Sequence, residues 1–108
     1  MWWLPLGRVR ELGANELATR LAAGEPLQVV DVRSRLEYER GHIRGAISIP
    51  ITELRYRTGE LDPTLPTIAI CLTAHRSIPA VRLLAKRGFA DVAQLAGGMR
   101  AWWQRGRR

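Results

Sequence analysis

The segment Thr67-Ile68-Ala69-Ile70-Cys71-Leu72-Thr73-Ala74-His75-Arg76-Ser77 passes from an apolar run through a short polar loop into a helical pattern. The run predicts a strand over 67–70, covered on both faces as in a parallel sheet. Beyond it, Ile78, Val81, Leu84 and Ala85 recur at helical spacing up to Arg87, with Gly88 as terminator. Pro79 fits only the first turn of that helix, so the helix starts at Ser77 or Ile78. The chain's only cysteine therefore falls where a buried strand ends and a helix begins. Strand ends are where open α/β sheets present their chemistry, and a helix start offers N–H groups that favour a thiolate.

Outward from this junction, strands and helices alternate. Asn15 is expected to cap a helix carrying Leu17, Leu21 and Ala22 and closed by Gly24. Leu27 to Val32 reads as a second buried strand, with Asp31 and Arg33 at its end as an ion pair or helix cap. A short helical stretch through Leu36, Glu37 and Tyr38 stops at Gly41, and His42 reads as a hydrogen-bonded pin for the turn that follows. Ile47 to Ile49 is a short strand, and Ile51 to Tyr56 forms one or two helical turns with Thr52 as its cap. Residues 58–66 form a loop, Asp91 to Leu95 a further strand, and Met99 to Gln104 a final helix with Trp102 and Trp103. The fold class is α/β, a mainly parallel central sheet flanked by helices on both faces.

The 108 residues suit a single domain over 1–108, with a core over about 12–103 and terminal extensions over 1–11 and 104–108. Trp2 and Trp3 are read as packing residues. No apolar run is long enough to span a bilayer, and residues 1–6 lack the features of a signal peptide, so the expected location is the cytoplasm. One cysteine excludes an internal disulfide, and with only His42 and His75 beside it no structural metal site is expected. Net charge is +7, and 16 of the 17 basic residues are arginine, which suits anionic partners. Those arginines are dispersed and lack interleaved aromatics, so nucleic acid is not an expected partner.

A loop between strand and helix can curl its N–H groups inward into an anion-binding nest, with Cys71 at its centre. Arg76 adds a cation, and Thr73 and Ser77 can add hydroxyls. Whatever Cys71 attacks or carries should be anionic, which fits sulfur transfer or phosphoryl transfer. Cysteine–arginine phosphate loops usually place five residues between the pair, enough to wrap a tetrahedral oxyanion. Here four intervene, Leu72, Thr73, Ala74 and His75, and the tighter ring suits one extra sulfur atom.

With these motifs in order, the chain resembles a single-domain rhodanese, a sulfurtransferase. The resemblance rests on Asp31-Val32-Arg33, Glu37-Tyr38, Gly41-His42-Ile43, Gly45-Ala46 and Ile49-Pro50. It continues through Cys71 to Arg76-Ser77, Gly88-Phe89, Leu95-Ala96-Gly97-Gly98 and Trp102. It implies that Cys71 takes the outer sulfur of an anionic donor such as thiosulfate and becomes a persulfide. A thiophilic acceptor, cyanide or a thiol or protein sulfur acceptor, then removes that sulfur. The loop Leu72, Thr73, Ala74, His75, Arg76 and Ser77 would hold the persulfide, with Arg76 also paired to a carboxylate, Glu37 or another. Asp31, Arg33, Glu37 and His42 would support the sheet ends and turns. The resemblance implies no metal or organic cofactor beyond the covalent persulfide. The other readings are a phosphatase or arsenate reductase of similar design, and a non-catalytic rhodanese-like interaction module. Family members commonly have glycine where Ala74 stands, so either the loop is altered here or the position does not need glycine. His75 reads as a solvent-facing residue.

Overall fold

The computed structural model describes residues 9–105. The expectation for Trp2 and Trp3 lies outside them. The chain forms β1 (Glu11–Leu12), α1 (Ala14–Ala22), β2 (Gln28–Asp31), α2 (Arg35–Arg40), β3 (Ile47–Ser48) and α3 (Leu54–Arg57). A 3₁₀ turn over Thr58–Glu60 leads to β4 (Thr67–Ile70), α4 (Ser77–Lys86), β5 (Val92–Leu95) and α5 (Gly98–Gln104). The strands make one five-stranded sheet in the order β1-β5-β4-β2-β3, parallel at every pairing. The sequence pattern indicated a mainly parallel sheet.

Strand pleating sends alternate residues to opposite faces, and both faces are covered. On one face Val30, Val32, Ala69 and Val92 pack with Leu54 of α3 and Ala80, Val81 and Leu84 of α4. On the other, Val29, Ile68, Ile70, Ala93 and Leu95 pack with Leu17 of α1 and Met99 of α5, joined by Tyr38 of α2. All four residues of β2, of β4 and of β5 are buried, which is why the segments around β2 and β4 read as apolar runs and not as alternating patterns. No helix among the described residues is long and apolar enough to cross a membrane.

Two local expectations are corrected and one strand is added. Helix α1 starts at Ala14 with Gly13 as its cap, so Asn15 lies inside the first turn and its side chain does not cap. Helix α3 starts after Glu53, and Thr52 belongs to the turn ahead of it. Strand β1 was not foreseen: its two residues are too few for any periodicity, and β5 recruits them through Gln94 N–H to Arg10 O (2.9 Å) and Ala96 N–H to Leu12 O (2.9 Å). By contrast, Ser34 caps α2 in a full capping box. It accepts from Glu37 N–H at 3.2 Å while Glu37 Oε1 accepts from Ser34 N–H at 3.0 Å. Pro79 is the third residue of α4, where its missing N–H removes no helical bond.

The end of β2 is held by a buried ion pair. Asp31 is fully buried and Arg33 is 2% exposed. Arg33 Nε and Nη2 donate to the Asp31 carboxylate at 3.0 and 2.8 Å, and Nη2 also donates to Gly41 O at 2.7 Å. The guanidinium thereby ties the end of β2 to the end of α2. Removing one partner strands the other charge away from water. Asp31→Asn and Arg33→Met are each expected to lose about 3–5 kcal/mol of stability, measured by urea unfolding. The double variant should lose less than the sum, because neither charge is then left alone.

Candidate active site

From β2 the chain moves outward to β3, and from β4 it moves to β5 on the opposite side. The carboxyl ends of β2 and β4 therefore flank a topological switch point, where open parallel sheets leave a crevice. Both sequence motifs emerge there: Asp31-Val32-Arg33 from β2 and Cys71 from β4.

Cys71 follows β4 directly and is 2% exposed. The chain then turns back on the sulfur, and Arg76 N–H donates to Cys71 Sγ at 3.1 Å. Ala74 makes that turn with φ of 84°, the one positive φ at a non-glycine residue among those described. The position thus needs the left-handed conformation that glycine adopts freely, and alanine holds it at a cost. Burial pushes the Cys71 thiol pKa up. The N–H groups of Arg76 and Thr73 and the Arg76 guanidinium outweigh it, and the net direction is down. The ring thus favours the thiolate, the form that acts as a nucleophile.

The Arg76 side chain forms a two-pronged pair with Glu37, Nη1 to Oε1 at 2.6 Å and Nη2 to Oε2 at 2.9 Å. This identifies the carboxylate partner that the sequence left open. The Arg76 guanidinium, helped by the Ser34 cap, lowers the Glu37 pKa to about 2, so the carboxylate is charged at neutral pH. Helix α2 is thereby joined to the Cys71 loop across the switch point. His42 stacks on Tyr38 with ring centroids 3.7 Å apart, and its Nδ1 lies 2.7 Å from Tyr38 O. A carbonyl only accepts, so Nδ1 carries the proton, and His42 pins the turn after α2.

The loop's outward side is organised by α5. Met99 N–H donates to Cys71 O at 2.8 Å, and Arg100 N–H donates to Leu72 O at 3.2 Å. The first amides of α5, unpaired within their own helix, take up the carbonyls at the base of the ring. Gly98 makes this contact possible, because a Cβ there would overlap both carbonyl oxygens. In the sequence Gly97-Gly98 stood out only as part of the motif Leu95-Ala96-Gly97-Gly98. The signal was present in the two adjacent glycines, but nothing in the sequence named the backbone they approach.

The remaining loop residues divide. Thr73 Oγ1 and His75 Nδ1 lie 3.0 Å apart and both are exposed. The Ser77 hydroxyl is buried and donates to Gln94 Oε1 at 2.6 Å, while Gln94 Nε2 donates to Glu11 Oε2 at 2.9 Å. Ser77 therefore fastens the start of α4 to β5 and β1 and does not supply the loop hydroxyl that its position allowed.

The family profile of the Rhodanese-like domain matches residues 13–105. The chain belongs to the rhodanese family. YrkF of Bacillus subtilis is 34% identical over 94 residues, covering 87% of this rhodanese and 51% of that protein. The chain thus spans about half of that relative, and 60% of a second from the same organism. The thiosulfate sulfurtransferase GlpE of Shewanella oneidensis is 31% identical over 93 residues, covering 86% of this chain and 91% of that one. Among solved structures, a rhodanese-related protein of Thermoplasma volcanium superposes with a TM-score of 0.80 at 32% identity, covering 90% and 93% of the two chains.

Two outcomes are expected of this rhodanese site. Ala74→Gly should raise stability by about 1 kcal/mol or slightly less, since relief of the positive φ exceeds the added freedom of the unfolded chain. A lower urea midpoint would show instead that the methyl's contacts outweigh its backbone strain. Alkylation of Cys71 by iodoacetamide should follow a pH curve centred below that of free cysteine. In Gly98→Ala the curve should move up toward the free value, because the displaced carbonyls no longer hold the N–H groups on the sulfur.

Proposed function

We propose that the protein is a sulfurtransferase that moves sulfane sulfur through a persulfide on Cys71. The observation that carries this reading is a six-residue ring, Cys71 to Arg76, whose closing N–H already lies 3.1 Å from the sulfur. Its donor is an anion of the thiosulfate type, in keeping with the activity named for the GlpE relative. The Cys71 thiolate attacks the outer sulfur of thiosulfate, the S–S bond of the donor breaks, and sulfite leaves with the bonding electron pair. Cys71 then carries a persulfide whose terminal sulfur is anionic. In the second step a thiolate or cyanide attacks that terminal sulfur, the new S–S bond breaks, and Cys71 returns as a thiolate. The cycle is a two-step covalent exchange.

The residues take distinct parts in this cycle. The N–H groups of the ring stabilise the anionic sulfur. Arg76 fixes the loop through Glu37 and adds positive charge for the donor. Asp31, Arg33 and His42 hold the frame. The chemistry calls for no metal or organic cofactor. The physiological acceptor is a thiol, free or on a protein.

Incubation with thiosulfate followed by mass spectrometry tests the reading. One added sulfur atom on Cys71 is expected, absent in Cys71→Ser. Phosphatase turnover without the adduct would overturn it, as would the lack of either signal. Arg76→Ala should lower kcat/KM for thiosulfate about tenfold or more, the usual consequence of removing a charged hydrogen-bonding partner. Unchanged kinetics would remove the role assigned to Arg76.

A further inference from the structure

Beside the loop lies a hollow of about 150 Å³ lined by Arg33, Glu37, Arg40, Leu72 and Trp103. Leu72 is bonded to Cys71, and Glu37 holds Arg76, so the hollow borders the ring directly. Its apolar walls are Leu72, half-buried, and Trp103, whose side chain remains 42% exposed despite its size. Its charges do not cancel. Arg33 is matched by Asp31, and Glu37 by Arg76. Arg40 is exposed, and no ion pair among the described residues engages it. The hollow is therefore apolar-walled with one unmatched cation at its rim.

We propose that this hollow is the seat of the sulfur acceptor, and that the acceptor is a small thiol bearing a carboxylate. The inference rests on the sulfur-transfer reading and names the substrate class of its second step. A donor such as thiosulfate is compact, fully polar and doubly charged, and has no apolar part for Leu72 and Trp103 to cover. A short mercaptocarboxylate has one. Its methylene chain lies between Leu72 and Trp103, its carboxylate meets the fork of Arg40, and its sulfur faces the ring. The space holds roughly five waters, which matches an acceptor of about six non-hydrogen atoms. In the transfer, the acceptor thiolate bonds to the terminal sulfur and the bond from that sulfur to Cys71 Sγ breaks. The acceptor leaves as a persulfide anion and Cys71 as a thiolate, so charge and electrons balance. Arg40 and Trp103 are specificity-determining residues for this step.

The test uses the full chain loaded with thiosulfate and compares discharge by 3-mercaptopropionate with discharge by 2-mercaptoethanol, each corrected for its thiolate fraction. The kcat/KM ratio should favour the carboxylate-bearing thiol about tenfold or more. Arg40→Gln should abolish most of that preference, Arg40→Lys should keep part of it, and Trp103→Ala should raise KM for 3-mercaptopropionate. A ratio near one in the unaltered protein, or a preference that survives Arg40→Gln, overturns the assignment. Absence of the Cys71 persulfide after loading overturns the sulfur-transfer reading itself. Persulfide formation without carboxylate preference overturns only the acceptor site.

Discussion

A peptide group cannot turn its N–H toward a sulfur atom without turning its carbonyl away, and that carbonyl must still find a donor. The Cys71 loop is governed by this constraint. At the base of the ring the carbonyls of Cys71 and Leu72 meet Met99 N–H and Arg100 N–H, the otherwise unpaired first amides of α5. The two sets of unsatisfied groups complete each other, and Gly98 is what lets them approach. Farther round, the turn at Ala74 brings Arg76 N–H back onto Cys71 Sγ, at the cost of a left-handed conformation on a residue with a side chain. The shape of the ring is thus set from outside by a helix 27 residues farther along the chain and from inside by one strained residue.

The charges around the ring are arranged in two closed pairs, and the two differ in character. Asp31 and Arg33 are removed from water, so their attraction competes with a large desolvation cost and serves mainly to fix geometry. Glu37 and Arg76 remain about a third exposed, and their strength comes from parallel two-pronged hydrogen bonding. Because α2 lies between the pairs, the end of β2, the helix and the Cys71 loop form one connected frame. The switch point explains why these elements meet: β2 and β4 are neighbours, while their following strands lie on opposite sides.

Much of this was legible in the sequence where a residue's own chemistry dictates its setting. The runs Leu27 to Val32 and Thr67 to Ile70 could be read as buried strands because both of their faces are covered. The placement of Cys71 between strand and helix, and the limit that Pro79 puts on the helix start, followed in the same way. What was hidden depends on distant backbone. Strand β1 exists because β5 has an open edge, and its two residues carry no periodicity of their own. The Ser77–Gln94–Glu11 chain crosses three elements, and no local pattern marks Gln94 as its hub. Asn15 has the chemistry of a cap, yet Gly13 already supplies the extended conformation ahead of the helix, and Asn15 falls two residues too deep. The resemblance to rhodaneses placed the motifs. It did not say whether Ala74 would be forced to positive φ.

The rigidity of this frame has a chemical consequence under the proposed cycle. The Cys71 thiolate, which the ring favours, and the persulfide each carry one negative charge, and both place it within the same ring of N–H groups. A site that must accommodate a change in charge has to reorganise its dipoles, whereas one that holds a constant charge can keep them fixed. Burial of Cys71 raises the cost of any charge there, so the fixed donors must act against that cost continuously and not only during reaction. A loop braced by Glu37 on one side and by α5 on the other meets this requirement. It also gives a physical reason for the four-residue spacing, since a longer loop would admit a bulkier anion and leave its amides farther from a single sulfur atom. The strain at Ala74 is then a consequence of closing the ring tightly enough to keep those amides on the sulfur.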